Sequence, residues 1–142
     1  MTALLDVNML IALLDAAHVH HTRVKAWLMS QPELVWASCP ITQNGFIRII
    51  SQNSYPGSIS SSQAFSVLRN ASSSPHHRFW PDDISLLETP LIDPSFVHGP
   101  KQVTDIYLLA LAVKNNGRLV ALDRAIPLNA VRGAEPRHLV LL

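Results

Sequence analysis

The sequence predicts an α/β protein with a largely parallel sheet. Three observations carry that expectation. Short apolar runs that read as buried strands alternate with stretches of helical periodicity. Two of those runs, Leu4-Leu5-Asp6 and Leu119-Val120-Ala121-Leu122-Asp123, end in an acid. The stretch Tyr107 to Val113 is too uniformly apolar for a surface helix and belongs at the centre.

The elements follow in order. Residues 2–6 read as a short strand, apolar on both faces. Met9 to Leu14 begins a helix that Asp15 breaks. His18 to Met29 places Val19, Val24, Trp27 and Leu28 at roughly helical spacing, a second amphipathic helix that Gln31-Pro32 ends. Leu34 to Ala37 is a second strand. Pro40 opens a helix whose apolar side is Ile41, Phe46, Ile47, Ile49 and Ile50, with Gly45 an unexpected guest inside it. After the polar loop 52–62 comes a short helix, Gln63 to Asn70, and then a Ser/Pro loop. His77 to Trp80 and Ile84 to Leu87 are extended candidates. Thr104 is a suitable N-cap for the central helix, which Asn115-Asn116-Gly117 stops. Arg118 to Leu122 and His138 to Leu142 complete the strands.

The 142 residues suit one domain, 1–142, with one sizeable core. Hydrophobic residues at 48% against 15% charged exclude a disordered chain. A formal net charge of +1 does not announce a nucleic-acid binder by bulk charge. Eight of the eleven cations are Arg, however, the better phosphate reader. The single Cys39 excludes an intrachain disulfide and a CxxC zinc site and suits a reducing cytosol, so a cytoplasmic location is expected. No apolar run is long enough to span a bilayer, and no membrane association is expected. Met1-Thr2-Ala3-Leu4-Leu5-Asp6 lacks the basic start of a signal peptide. There is no internal repeat and no Gly-rich phosphate loop.

In open α/β sheets ligands bind beyond the carboxyl ends of the strands. Asp6 and Asp123 each end a strand, and Asp105 is expected at the first helical position after Thr104. Helix N-termini and strand C-termini share one side of such a sheet, so three carboxylates converge there. Each placement alone is ordinary, a turn acid or a complement to the helix dipole. Together, in a chain with only seven Asp, they point to an all-oxygen site for Mg²⁺ or Mn²⁺.

The chain resembles the PIN-domain ribonucleases, and more closely the VapC-type toxins of bacterial toxin–antitoxin modules. The resemblance rests on Leu4-Leu5-Asp6-Val7-Asn8-Met9-Leu10-Ile11-Ala12-Leu13-Leu14, Pro40-Ile41-Thr42-Gln43-Asn44-Gly45-Phe46-Ile47-Arg48, Val103-Thr104-Asp105-Ile106-Tyr107-Leu108-Leu109-Ala110 and Leu122-Asp123-Arg124. In this order the segments span nearly the whole chain. The resemblance implies a three-layer α/β/α sandwich, with three Asp and usually one Glu around one or two Mg²⁺ or Mn²⁺ ions. Position by position, these are Asp6 and Asp105 as principal metal ligands, and Asp123 as holder of a water or a second ion. The reaction implied is hydrolysis of RNA phosphodiester bonds, with structured RNAs such as tRNA or rRNA as plausible targets. Arg124, and with less reason Arg48, are candidate phosphate contacts.

The departure is Gln43, where the family commonly has Glu. An amide oxygen still accepts a hydrogen bond but carries no charge and cannot act as a base. Either the three Asp suffice, or the chain is a catalytically weak or inactive PIN-like binding module. Asp82 and Asp83 are possible replacement carboxylates, although Pro81-Asp82-Asp83 reads as a turn. A phosphatase acting on small phosphoesters lacks support, because the first motif reads Asp6-Val7-Asn8 and not Asp-x-Asp. His18, His20 and His21 do not share one helix face and read as polar surface. Trp27, Trp36 and Trp80 read as core or interface, and Cys39 lacks the partners of a nucleophile. The apolar stretches Met9–Leu14 and Val19–Leu28 exceed the needs of a small core and point to an interface. For that surface the resemblance implies a homodimer and a VapB-type antitoxin.

Overall fold

A computed structural model of the chain describes residues 1–88, 90–122 and 125–142. Its elements run β1 (Ala3–Leu5), α1 (Val7–Leu14), α2 (His21–Met29), β2 (Trp36–Ser38), α3 (Pro40–Ile50), α4 (Ser61–Ser72), β3 (His77–Phe79), α5 (Val103–Lys114), β4 (Arg118–Ala121) and β5 (Leu139–Leu141). The strands form one five-stranded sheet of order β3-β2-β1-β4-β5, and every pairing in it is parallel. The chain builds outward from β1 to β3, then returns to the other flank of β1 for β4 and β5. Crossovers of one hand in two directions put their helices on opposite faces. Strand alternation divides the core accordingly. Leu4, Ala37, Leu119 and Ala121 pack with α5, whereas Ala3, Leu5, Trp36 and Val120 pack with α1 to α4. This is the expected three-layer α/β/α sandwich.

Several boundaries differ from expectation, each for a local reason. The second helix starts at His21, not His18, and Val19 lies in a turn with 85% of its surface exposed. The turn is tied by its own polar groups: the His20 N–H donates to His18 Nδ1 at 3.0 Å, and His21 Nδ1 meets the Ala12 carbonyl at 2.8 Å. A short 3₁₀ turn, Pro100–Gln102, feeds directly into α5, so the helix begins at Val103 and Thr104 is not its cap. Asp105 is therefore the third helical residue rather than the first. Residues 84–87 form no strand. Ile84 and Leu86 pack against the core on the α5 side, and Leu87 is left 89% exposed. Met9 to Ala12 are not surplus interface surface, because all four are buried between the sheet and the neighbouring helices.

Gly45 has a packing reason. A Cβ there would fall 2.6 Å from Val7 Cγ2, so the glycine lets the first turn of α1 lie against α3. At the other end of the molecule Asn116, at φ 53°, closes α5 in the left-handed region. The Gly117 N–H then donates to the Ala112 carbonyl at 2.9 Å. Among the described residues no helix is long and apolar enough to cross a membrane.

Gly45→Ala is expected to cost about 1–3 kcal/mol by overpacking, and Val7→Ala in the same chain to recover part of it. Urea unfolding of the two single variants and the double variant measures both, and additive losses contradict the packing reason.

Candidate active site

The topology decides where the acids fall. Asp6 is the first residue beyond β1, the central strand, and the strand order reverses direction between β1 and β4. That is the switch point at which open parallel sheets bind ligands. Asp6 has extended backbone and N-caps α1: its Oδ1 accepts the Met9 N–H at 2.7 Å. The cap fixes the orientation of the carboxylate, which is only 3% exposed. α5 leads into β4 and so runs antiparallel to it. Its N-terminal turn therefore overlies the carboxyl edge of the sheet, and this turn carries Asp105, 6% exposed. The positive end of the helix faces the same edge. Asp123 and Arg124 lie outside the described residues. Among the described residues no group of three His, Cys, Asp or Glu side chains forms a ready metal cluster. Two buried carboxylates at one edge are nonetheless the hard, all-oxygen donors that suit Mg²⁺.

Gln43 lies in the early turns of α3, which also start at the carboxyl edge. Its Nε2 donates to Ser38 Oγ at 3.0 Å, and the same hydroxyl meets His77 Nε2 at 2.7 Å. Ser38 is fully buried at the end of β2. The His77 ring is tilted on Trp36 with centroids 4.5 Å apart. Sequence reasoning missed this group because Ser38 and His77 are 39 positions apart and meet only through the β2–β3 register. It also missed Lys101, one helical turn before Asp105, with which it lines an open cleft together with Gln102 and Ala125. The (i, i+4) spacing was the available signal.

The remaining candidates fall elsewhere. Arg48 is exposed in the last turn of α3, about 12 Å along the helix axis from Pro40 at 1.5 Å per residue, which suits a solvated face. Asp82 Oδ2 accepts the Ile41 N–H at 3.1 Å and so serves the start of α3. Asp83 pairs with Lys114 at 2.7 Å, at the opposite end of α5 from Asp105. Burial pushes the Cys39 thiol up to about 11, with Thr42 hydrogen bonds opposing, so it is no thiolate nucleophile at neutral pH. Burial, with Asp82 nearby, pushes the Tyr107 phenol up to about 12. Trp36 and Trp80 are core residues, and Trp27 takes the Arg118 guanidinium over its ring at 5.3 Å.

A buried acid at the switch point of a parallel sheet, with a second acid on a helix that starts at the same edge, is the arrangement that the resemblance to PIN domains implies. No family model matches the chain. Its relatives are specific, however. It is 54% identical over 142 residues, the whole of both chains, to Ribonuclease VapC44 of Mycobacterium tuberculosis. Ribonuclease VapC39 of the same organism is 41% identical over 135 residues, covering 94% of this chain and 96% of that one. Among solved structures, M. tuberculosis VapC20, a toxin that cleaves the sarcin–ricin loop, aligns at a TM-score of 0.59 with 14% identity, over 82% of this chain and 85% of that one. VapBC2 of Rickettsia felis, solved with a promoter DNA fragment, aligns at 0.56 with 15% identity over 100% and 98%. The two structures support the fold, and the sequence relatives establish the family. The chain belongs to the VapC family of PIN-domain ribonuclease toxins.

His77 generates a pH expectation. Burial, aided by Arg78, holds its pKa below the ordinary 6.5, against an opposing hydrogen bond to the Ser72 main chain. The unfolded chain therefore takes up this proton first as pH falls. Stability from His77 is full above about 6.5 and is lost as pH falls through the lower folded value. Urea midpoints measured on both sides of that window are expected to fall more on acidification in the natural chain than in His77→Gln. An equal fall in both contradicts this.

Proposed function

We propose that the chain is a metal-dependent endoribonuclease, the toxin of a toxin–antitoxin pair, with Asp6 and Asp105 as the principal ligands of Mg²⁺ or Mn²⁺. The observation that carries the reading is the burial of these two carboxylates at the switch edge of the sheet. RNA as the substrate is supported by the name that the full-length relatives share. The same relatives favour a nuclease over a binding module.

The residues divide the work. Asp6 and Asp105 present oxygens held by the α1 cap and the α5 helix. Asp6 and Asp105 would hold the cation, whose chemistry there would be to acidify a water and to neutralise charge on the phosphate. Asp123 is assigned the third carboxylate position and Arg124 a phosphate contact, as the family pattern implies. Gln43 contributes an acceptor oxygen without charge, so the site holds its cation more weakly than one with Glu. Lys101 joins the assignment as a phosphate contact beside Asp105, and Arg48 drops out of it. A structured RNA, tRNA or rRNA, is the proposed target class, in keeping with the sarcin–ricin loop that VapC20 cleaves. A VapB-type antitoxin is the proposed partner, supported by the toxin–antitoxin structure with the same fold. Exposed Phe65, Phe79 and Leu87 offer apolar surface for that partner or for a homodimer. The proposed location is the cytoplasm.

Cleavage of total tRNA and rRNA is expected with Mg²⁺ or Mn²⁺ and not with EDTA. Asp105→Asn is expected to lower it by about a hundredfold or more. Unchanged cleavage in that variant contradicts the ligand assignment. Lys101→Ala is expected to weaken RNA binding about equally across sequences and to reduce the salt slope by about one. An unchanged slope removes Lys101 from the phosphate path.

A further inference from the structure

We infer that the groove between α3 and α4 is a subsite for one unstacked nucleotide of single-stranded RNA, in which Phe65 stacks on the base and Arg69 holds a phosphate. The inference rests on the reading of the chain as an RNA-cleaving enzyme, and it names where the substrate is held away from the acidic edge.

Charge points to this flank. From Leu34 to Pro81 the chain holds no Asp or Glu, although it carries ten elsewhere. The same stretch holds Arg48, Arg69 and Arg78, all exposed. It builds β2, α3, α4 and β3, one side of the sheet and the helices over it. The acids that reach it, Asp15 at Tyr55 and Asp82 at Ile41, do so at its margins, and neither lines the groove. A formal net charge of +1 thus conceals a segregation, with a purely basic flank beside an acidic remainder. A one-signed flank of this kind suits a polyanion.

The groove supplies the contacts. Asn44 and Ile47 stand on its α3 wall, and Phe65, Leu68 and Arg69 on its α4 wall. Phe65 and Arg69 are one helical turn apart and share a face. The Phe65 ring is 51% exposed on a helix side that is otherwise polar. The Arg69 guanidinium and the Asn44 amide, both exposed, have no hydrogen-bond or ion-pair partner among the described residues. An exposed ring, an unpaired guanidinium and an open amide are what hold a single strand: stacking tolerates any base, the amide meets a base edge, and Arg takes the phosphate. An apolar protein segment would bury Phe65 but leave Arg69 and Asn44 without partners, whereas a nucleotide satisfies all three. The groove measures about 280 Å³. Small-ligand sites start at about 300 Å³, so it admits one base and not a duplex.

The packing sets the distance to the acids. Gly45, the residue after Asn44, lies against Val7, the residue after Asp6. α3 therefore stands between Asp6 and the groove, and a helix with its side chains is about 10 Å across. That separation suits a nucleotide that flanks the scissile bond and not the scissile phosphate itself. Phe65 is thereby assigned to RNA, which leaves Phe79 and Leu87 as apolar surface for a protein partner.

The test is binding of a fluorescent single-stranded oligouridylate, read by anisotropy in EDTA at several salt concentrations. Phe65→Ala is expected to weaken binding by about tenfold, and Phe65→Trp to keep it. Arg69→Ala is expected to reduce the salt slope by about one. Arg137→Ala, just before β5 at the far edge of the sheet, is expected to leave the slope unchanged. Natural affinity in Phe65→Ala overturns the subsite, and so does an equal change of slope in Arg137→Ala and Arg69→Ala. If Phe65→Ala loses a VapB-type antitoxin while keeping RNA, the groove belongs to protein and the inference is overturned. Cleavage with Mg²⁺ separates the subsite from the reading beneath it. If binding depends on Phe65 and Arg69 but no RNA is cut, the subsite stands and the nuclease fails. If RNA is cut through Asp105 while Phe65→Ala and Arg69→Ala bind as the natural chain does, only the subsite fails.

Discussion

Burying a carboxylate is costly unless its oxygens are satisfied, and this fold buries two at one edge. Much of the architecture serves that constraint. The return of the chain from β3 to β4 creates a switch point beside β1. The helices that follow β1 and β2 start at the carboxyl edge, and the helix that precedes β4 starts there too. Three N-termini, with their positive dipole ends, thus ring the edge that carries Asp6 and Asp105. Asp6 shows the economy of the arrangement: one oxygen caps α1 while the residue ends the central strand.

Packing sets how the elements meet at that edge. Gly45 admits Val7 at the α1–α3 contact, and α1 to α4 seal one face while α5 seals the other. Small displacements of α3 would move Gln43 and Ser38 together, because their side chains are bonded.

The sheet and the place of Asp6 at its edge are legible in the sequence because both signals are local. A short apolar run ending in Asp marks a strand terminus, and the two core faces follow from alternation. What escaped was non-local or depended on turns. Thr104 looked like a cap, but Pro100 opens a 3₁₀ turn that continues into α5 and moves Asp105 two positions deeper. Val19 falls at the helical spacing of Val24, Trp27 and Leu28, yet the side-chain bonds of His18 and His21 hold a turn until His21. Ser38 carried no signal at all, since only the β2–β3 register brings His77 to it.

The most direct measurement of the metal site is thermal unfolding across a range of Mg²⁺ concentrations, for the natural chain and for Asp6→Asn. Asparagine still caps a helix, so this variant loses the charge and keeps the Met9 hydrogen bond. A ligand that binds only the folded state raises the midpoint with concentration. The midpoint of the natural chain is expected to climb with Mg²⁺, and that of Asp6→Asn to stay nearly flat. Equal climbs in both, or none in either, would contradict a cation site built on the buried carboxylates.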